Sequence, residues 1–497
     1  MSDFWAAPPA GQRFELRNAR LLDVAGGGYF DSNVRLIVQD GQILAMPGLP
    51  GQPAEIAVDR AMDLGGRAVL PGLFNTHAHL EFKHPTALLS PLDLLLTRLY
   101  AARQTARGLA DCLLHGVTYV RDTLCNDLRP NRRWAERIQR GELPGPRLAQ
   151  SVLVAPPGGA FTQSISPFFN LAALVLGQAK PPYNHPNAGA VLCPPDATAA
   201  QARAAVDRAI DERRAQTIKF YDQEEFMPFY CPGARVLNAV QLSAAADQAR
   251  RRGIPSTLHH ASLAAFRRGV AAGVTSLAHL PIDAPLTEAD VLACQRAGCI
   301  LEPTLTIAYF YSWRMPAAPW NDHPNFLRLS ELRRRTWDAL IEEFCIPPWA
   351  ASRRRMLRQA QAGQLHVMGV RVSRLFRYWG PLISLGVENL ARLYAAGAPI
   401  ACGNDVGANS ASEAMIQLEL SLLDLCLGWS PAERLRAATL HSARALGVDD
   451  RFASLSPGKA ADLLVLDGDP LRQPDLLGGR AAALWLGGRL VVNNLVK

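Results

Sequence analysis

Apolar and polar positions alternate in two distinct textures along this chain. Between residues 13 and 70, short apolar runs are broken by glycine turns. Phe14–Leu22 and Val34–Val38 read as strands, and Asp40-Gly41 gives a hairpin signal before Ile43-Leu44. The same texture returns at Ala461–Leu466 and at Ala481–Leu486, which turns at Gly487-Gly488 into Arg489–Val492. Two β-rich ends around a long middle predict one small β-sandwich domain built from both chain ends, residues 1–70 with 446–497.

The middle, residues 71–445, alternates short apolar strands with helical stretches, the pattern of parallel strands joined by helical crossovers. Strand ends are expected at Leu73–His79, Val117–Asp122, Arg147–Val154, Thr217–Tyr221, Ser256–His259, Ser276–His279, Ile300–Thr304 and Ile400–Asp405. Eight such units close naturally as a (β/α)8 TIM-like barrel, with chemistry at the C-terminal ends of its strands. Two insertions break the alternation, at about 158–200 and 307–385. The second carries Trp313, Trp320, Trp337, Trp349 and Trp379 among many arginines. Each follows a barrel strand, so each is expected above the catalytic face as a loop or lid.

Composition narrows the class. Apolar residues make up 49% and charged residues 19% of the 497, which excludes a disordered or fibrous chain. The net charge is +8, but the arginines are scattered, so no nucleic-acid partner is expected. Nine cysteines without a Cys-x-x-Cys fit free thiols in a reducing compartment. No secretory leader and no long apolar run is visible, so a cytoplasmic protein without membrane contact is expected.

His77-Ala78-His79 follows the strand beginning at Leu73, and residues two apart on a strand share a face. Both imidazoles can therefore enter one cavity, and histidine nitrogen suits zinc-like divalent ions. His259, His279 and Asp405 each close a predicted barrel strand. Lys219 lies on the fourth strand, in Thr217-Ile218-Lys219-Phe220-Tyr221. A lysine aimed into a barrel beside cations is costly unless it loses its charge. It either reaches solvent or an acidic partner, or it reacts with carbon dioxide to give a carbamate. Tyr221, on the same face, either donates to a developing oxyanion or packs as a barrel tyrosine. His260 alternates away from His259 towards the helices. Glu81 and His84 either shape the pocket or are solvated.

At Leu70–His79, His115–Asp122, His259–His279, Cys402–Asp405 and Leu455–Leu463, the chain resembles the amidohydrolase superfamily. The resemblance is strongest to its imidazolonepropionase-like and metal-dependent Xaa-Pro dipeptidase-like branch. It implies two divalent metal ions, zinc by preference. His77, His79 and Asp405 would hold the more buried ion and His259 and His279 the second, with carbamylated Lys219 bridging them. Asp405 would also move the proton between attacking hydroxide and leaving group. Similar deaminases carry glutamate three residues after the fifth-strand histidine. This chain has Ser262 there, which favours the two-metal hydrolytic branch. Gly158-Gly159-Ala160 and Gly403-Asn404-Asp405 depart from the family's usual Gly-Gly-His and Gly-Thr-Asp and leave the substrate class open.

The expected activity is hydrolysis of an amide or peptide-like C–N bond in a small molecule, apolar or peptide-like. Ester, lactone or cyclic-amide hydrolysis, or a metal-dependent lyase or isomerase reaction, would use the same centre. A non-catalytic relative should have lost ligands, and none is missing. A homo-oligomer is expected.

Overall fold

The computed structural model describes residues 10–80, 91–159, 162, 181–223, 234–306, 344–348, 350, 351, 354, 358, 366, 367, 370, 371, 385–405 and 412–495. Most of the two insertions, together with Glu81, His84 and Cys231, lies outside these residues.

Strands near both ends of the sequence share one eight-stranded sheet. β1 (Arg13–Asp23) pairs with the short β2 (Gly28–Tyr29), with β3 (Leu36–Gln39) and, in parallel, with β5 (Arg60–Pro71). β4 (Gln42–Ala45) forms the hairpin partner of β3. A register shift between Arg17 and Ala19 bends the long β1–β5 pair. On the far edge of β5 the sequence's other end adds β16 (Leu463–Leu466), β17 (Ala483–Leu486) and β18 (Arg489–Asn493), all antiparallel. Leu16, Leu36, Val38, Leu64, Val69, Leu463, Val465 and Trp485 bury a core of their own, mixing residues from both ends.

β5 runs through Gly72 directly into the barrel. Its strands are β6 (Leu73–Ala78), β7 (Val117–Asp122), β8 (Arg147–Ala155), β10 (Thr217–Asp222), β11 (Ser256–His260), β12 (Ser276–Ala278) and β13 (Ile300–Glu302), each parallel to its neighbour. The three-residue β9 (Ala190–Leu192) extends the upper edge of β8 from within the first insertion. A separate hairpin, β14 (His366–Val367) with β15 (Val370–Arg371), belongs to the second.

The eighth position is filled by residues 399–405, an extended segment rather than a regular strand. It bonds to one side through Leu301 N to Pro399 O (2.8 Å) and to the other through Thr76 N to Cys402 O (2.9 Å) and Asp405 N to His77 O (2.8 Å). The barrel is thereby closed, and the expected fold class holds. A main core fills the space between strands and helices, with Val120, Val152, Ile218, Phe220, Leu258 and Leu277 facing helical Leu242, Ala245 and Phe266. Local signals set the helices. Asn238 and Gln241 cap helix Ala239–Arg251 reciprocally, and Gly273, at φ +67°, ends helix Leu263–Ala272.

Contacts between sheet and barrel fall on residues that precede barrel strands. Gly72 N donates to Asp462 O (2.9 Å), Ala481 N to Leu114 O (2.8 Å), and Arg147 pairs with both oxygens of Asp462 at 3.1 Å. The sheet therefore braces the N-terminal end of the barrel and leaves the opposite end for chemistry. The described cysteines are free thiols. Among the described residues, no helix is long and apolar enough to cross a membrane.

Candidate metal centre

Side chains from five barrel positions meet at the C-terminal end. His77 Nε2 lies 3.6 Å and His79 Nε2 3.0 Å from Asp405 Oδ1. The ligand atoms of these three residues lie within 4.8 Å of one another. The imidazole of His279 is 5.2 Å from that of His77 and 4.4 Å from that of His259, measured between ring centroids. Lys219 rises from β10 on the same interior face and acts electrostatically on His77, His259, His279 and Asp405.

Backbone shape brings the last strands' ligands inwards. His279 (φ +72°), Thr304 (φ +51°) and Asp405 (φ +48°) take left-handed conformations where β12, β13 and the closing segment end. Such conformations are uncommon outside glycine, least favourable for the β-branched Thr304, and cluster at functional sites. Gly403 lets the closing segment pass flush against His77, because a Cβ there would lie 2.7 Å from the His77 Cβ.

Three of the four rings, those of His79, His259 and His279, have a nitrogen committed to a prop. Nδ1 of His79 faces Leu124 O (3.2 Å), and Leu124 N is itself fixed by Asp122 Oδ1 (3.0 Å). A carbonyl only accepts, so His79 carries its proton on Nδ1 and turns Nε2 to the centre. His259 Nε2 meets Gln223 Oε1 at 2.7 Å, while its ring stacks on Tyr221 with centroids 4.1 Å apart. The Tyr221 hydroxyl donates to the same Gln223 oxygen at 3.4 Å. His260 points away: its Nδ1 meets Ala278 O at 2.9 Å and its ring packs near helical Phe266.

Below the histidines, Arg121 and Glu302 form an ion pair wholly buried in the barrel. Glu302 Oε2 is 3.8 Å from His77 Nδ1. Neither this pair nor Gln223 and Thr304 stood out in the sequence. Arg121 sits one residue before the expected strand end Asp122 and Gln223 two residues after the expected strand end Tyr221, which is the one available signal.

The electrostatics follow burial and neighbours. Burial chiefly, with Lys219 and the other histidines, holds His77 and His259 well below the usual histidine range; burial takes His279 down to about 4. Burial would lower His79 too, but its bond to Asp405 outweighs that and raises it. Correspondingly, Asp405 lies below the ordinary carboxylate range although burial alone would raise it. Burial, then the Arg121 charge, brings Lys219 down to about 7. Lys219 Nζ is buried with no hydrogen-bond partner among the described residues, and so is His77 Nδ1. Among the described residues Lys219 thus reaches neither solvent nor a hydrogen-bonded acidic partner, although Glu302 and Asp405 act on it through space. Four imidazoles, a carboxylate and an amine that loses its proton easily form a nitrogen-and-oxygen donor set suited to divalent metal. The buried atoms without partners fit a site shaped for a group that completes them.

Comparisons with known proteins agree with this architecture. The imidazolonepropionase of Geobacillus kaustophilus is 36% identical over 105 residues, 21% of this chain and 25% of that protein. The matched stretch thus spans about a quarter of that relative's length. Among solved structures, a Xaa-Pro dipeptidase with bound methionine in its active site superposes with a TM-score of 0.65 at 18% identity, covering 96% of this chain and 99% of that one. The A. niger ochratoxinase gives 0.64 at 18% identity over 97% and 96%. At these identities the structural likeness speaks for the fold alone. The family model described as "Amidohydrolase family" matches residues 68–491, the whole barrel and most of the strands that follow it, and the chain belongs to that family of enzymes.

Proposed function

We propose that this amidohydrolase cleaves an amide or peptide-like C–N bond in a small molecule at a centre of two divalent ions, zinc by preference. One observation carries the reading: His77, His79, His259, His279 and Asp405 converge around Lys219, whose amine is buried without a partner. His77, His79 and Asp405 would hold one ion and His259 and His279 the other. When bound, such ions lower the pKa of a shared water and polarise a carbonyl.

The chain's own groups supply the rest. In its neutral form the Lys219 amine would add through nitrogen to the carbon of carbon dioxide and release one proton to water. The resulting carbamate would carry one negative charge and two oxygens, offering donors to both ions in place of an unpartnered amine. Asp405, partly open towards the mouth and already hydrogen-bonded to His79, accepts the proton of the attacking water at its carboxylate and returns it to the leaving nitrogen. Tyr221 holds the His259 ring by stacking, and its hydroxyl, turned from Gln223, would donate to oxygen that gains charge. The matched segment of the imidazolonepropionases favours a ring amide as the second reading of the substrate.

The test is elemental analysis of the purified chain with a screen of linear amides, dipeptides and cyclic amides in oxygen-18 water. Two metals per chain and label in the product carboxylate are expected. A chain that binds no metal, or product without label, would rule the proposal out.

A further inference from the structure

We propose that Thr304 is a positioning residue that fixes the proton of His279 on Nδ1, and that the buried carboxylate of Glu419 holds Thr304 in place to do so. The inference rests on the reading above only for the use made of the opposite ring nitrogen.

The hydroxyl of Thr304 lies 2.6 Å from His279 Nδ1 and 2.8 Å from the carbonyl of Pro303. A hydroxyl has one proton, and a carbonyl can only accept, so that proton goes to Pro303. Towards His279 the oxygen must therefore accept, which places the ring proton on Nδ1 and leaves Nε2 bare. Asp405 Oδ2 is 4.0 Å from the same Nδ1, beyond hydrogen-bonding reach, and does not compete.

Thr304 does not reach this position by default. It is β-branched and sits at φ +51°, a conformation such residues avoid. The next two residues are clamped. Glu419, buried on helix Ile416–Leu427, accepts from Leu305 N at 2.9 Å, Thr306 N at 2.7 Å and Thr306 Oγ1 at 2.7 Å. The other side of the turn is tied by His279 N, which donates to Glu302 O at 2.9 Å. Backbone and side chain of His279 are thus both registered against one turn, and a carboxylate more than a hundred residues downstream holds that turn. Groups that orient a metal-binding histidine through its second nitrogen typically matter ten- to hundredfold in affinity.

The experiment uses the full chain, labelled with nitrogen-15 histidine and stripped of metal, followed by zinc titration against a chelator. The wild-type spectrum should show neutral His279 with its proton on Nδ1. T304V keeps the shape but removes the acceptor; the proton should redistribute between the nitrogens and the weaker zinc step should lose about ten- to hundredfold. T304S should restore both. E419Q turns an amide N–H towards a backbone donor and should shift the tautomer in the same direction. A wild-type His279 with its proton on Nε2 overturns the proposal, whatever the variants do and even if T304V fails to fold. So does a folded T304V with wild-type zinc affinity. If the wild type takes up no zinc, the hydrolase reading fails, and the spectrum still decides the role of Thr304.

Discussion

The two sets of side chains proposed to hold metal are built differently. His77, His79 and Asp405 are held by the backbone: Asp405 N bonds to His77 O, Thr76 N to Cys402 O, and Leu124 O props the His79 ring. His259 and His279 are propped by side chains, the Gln223 amide and the Thr304 hydroxyl. A carbonyl prop survives almost any substitution at its own position, whereas a side-chain prop is lost with one. The trio is thus a fixed feature of barrel closure, and the pair is adjustable.

The contrast can be broken most forcefully at Asp405, the carboxylate of the trio. Asp405→Asn should lower turnover by about a hundred- to ten-thousandfold, the loss that its proposed part in proton transfer implies. Steady-state rates on whichever amide the screen identifies would measure it, and a variant of wild-type rate would remove Asp405 from the chemistry. Gly403→Ala attacks the trio through its backbone. The new Cβ would fall 2.8 Å from Thr76 Oγ1 and closer still to His77, so the closing segment must shift. Displacement by about an ångström costs on the order of a hundredfold in rate, and the metal step assigned to the trio should weaken while that of the pair is spared. Gln223→Leu removes the acceptor for His259 and should weaken the pair's metal step about ten- to hundredfold, leaving the trio's step unchanged. Equal weakening of both steps in either variant would show that the halves are not independent.

A subtler separation comes from pH. The folded pKa of His79 is raised, so its proton stays bound to higher pH and must leave for metal to bind. Affinity at the trio should therefore fall first on acidification through neutrality, by about tenfold per pH unit where one proton competes. His259 is already held neutral and His279 titrates only near about 4, so the pair should keep its metal to lower pH. Metal retention measured across this range should show two stages, and a single joint loss would contradict the assignment.

Beneath both halves, Arg121→Met would leave the Glu302 charge buried without its partner. That should destabilise the fold by roughly 3–5 kcal/mol, read from chemical denaturation.

Much of this was legible in the sequence, for identifiable reasons. The histidines and Asp405 stand where apolar strand patterns stop, and strand ends are where a barrel gathers its chemistry. The β-rich ends announced a common sheet through alternation and glycine turns. The props were hidden. Thr304 matters because its backbone turns left-handed, and threonine at a strand end carries no mark of that. Gln223 follows Lys219 by four residues, beyond the strand itself. Arg121 and Glu302 come from strands on different sides of the barrel, so their pairing exists only in three dimensions. The last barrel position read as a strand but forms only bridging bonds, because the chain curls at Asp405 as soon as it has joined its neighbours.

The shared terminal sheet also sets a timetable. Arg67 bonds to Asp467 across a separation of 400 residues, and β5 lacks its outer neighbour until β16 exists. On the ribosome, β1 and β5 emerge first and must wait, half paired, through synthesis of the entire enzyme. An exposed strand edge held open that long invites mispairing. Nascent chains stalled before residue 463 should therefore be the aggregation-prone species, and release of the final strands should be the event that protects them.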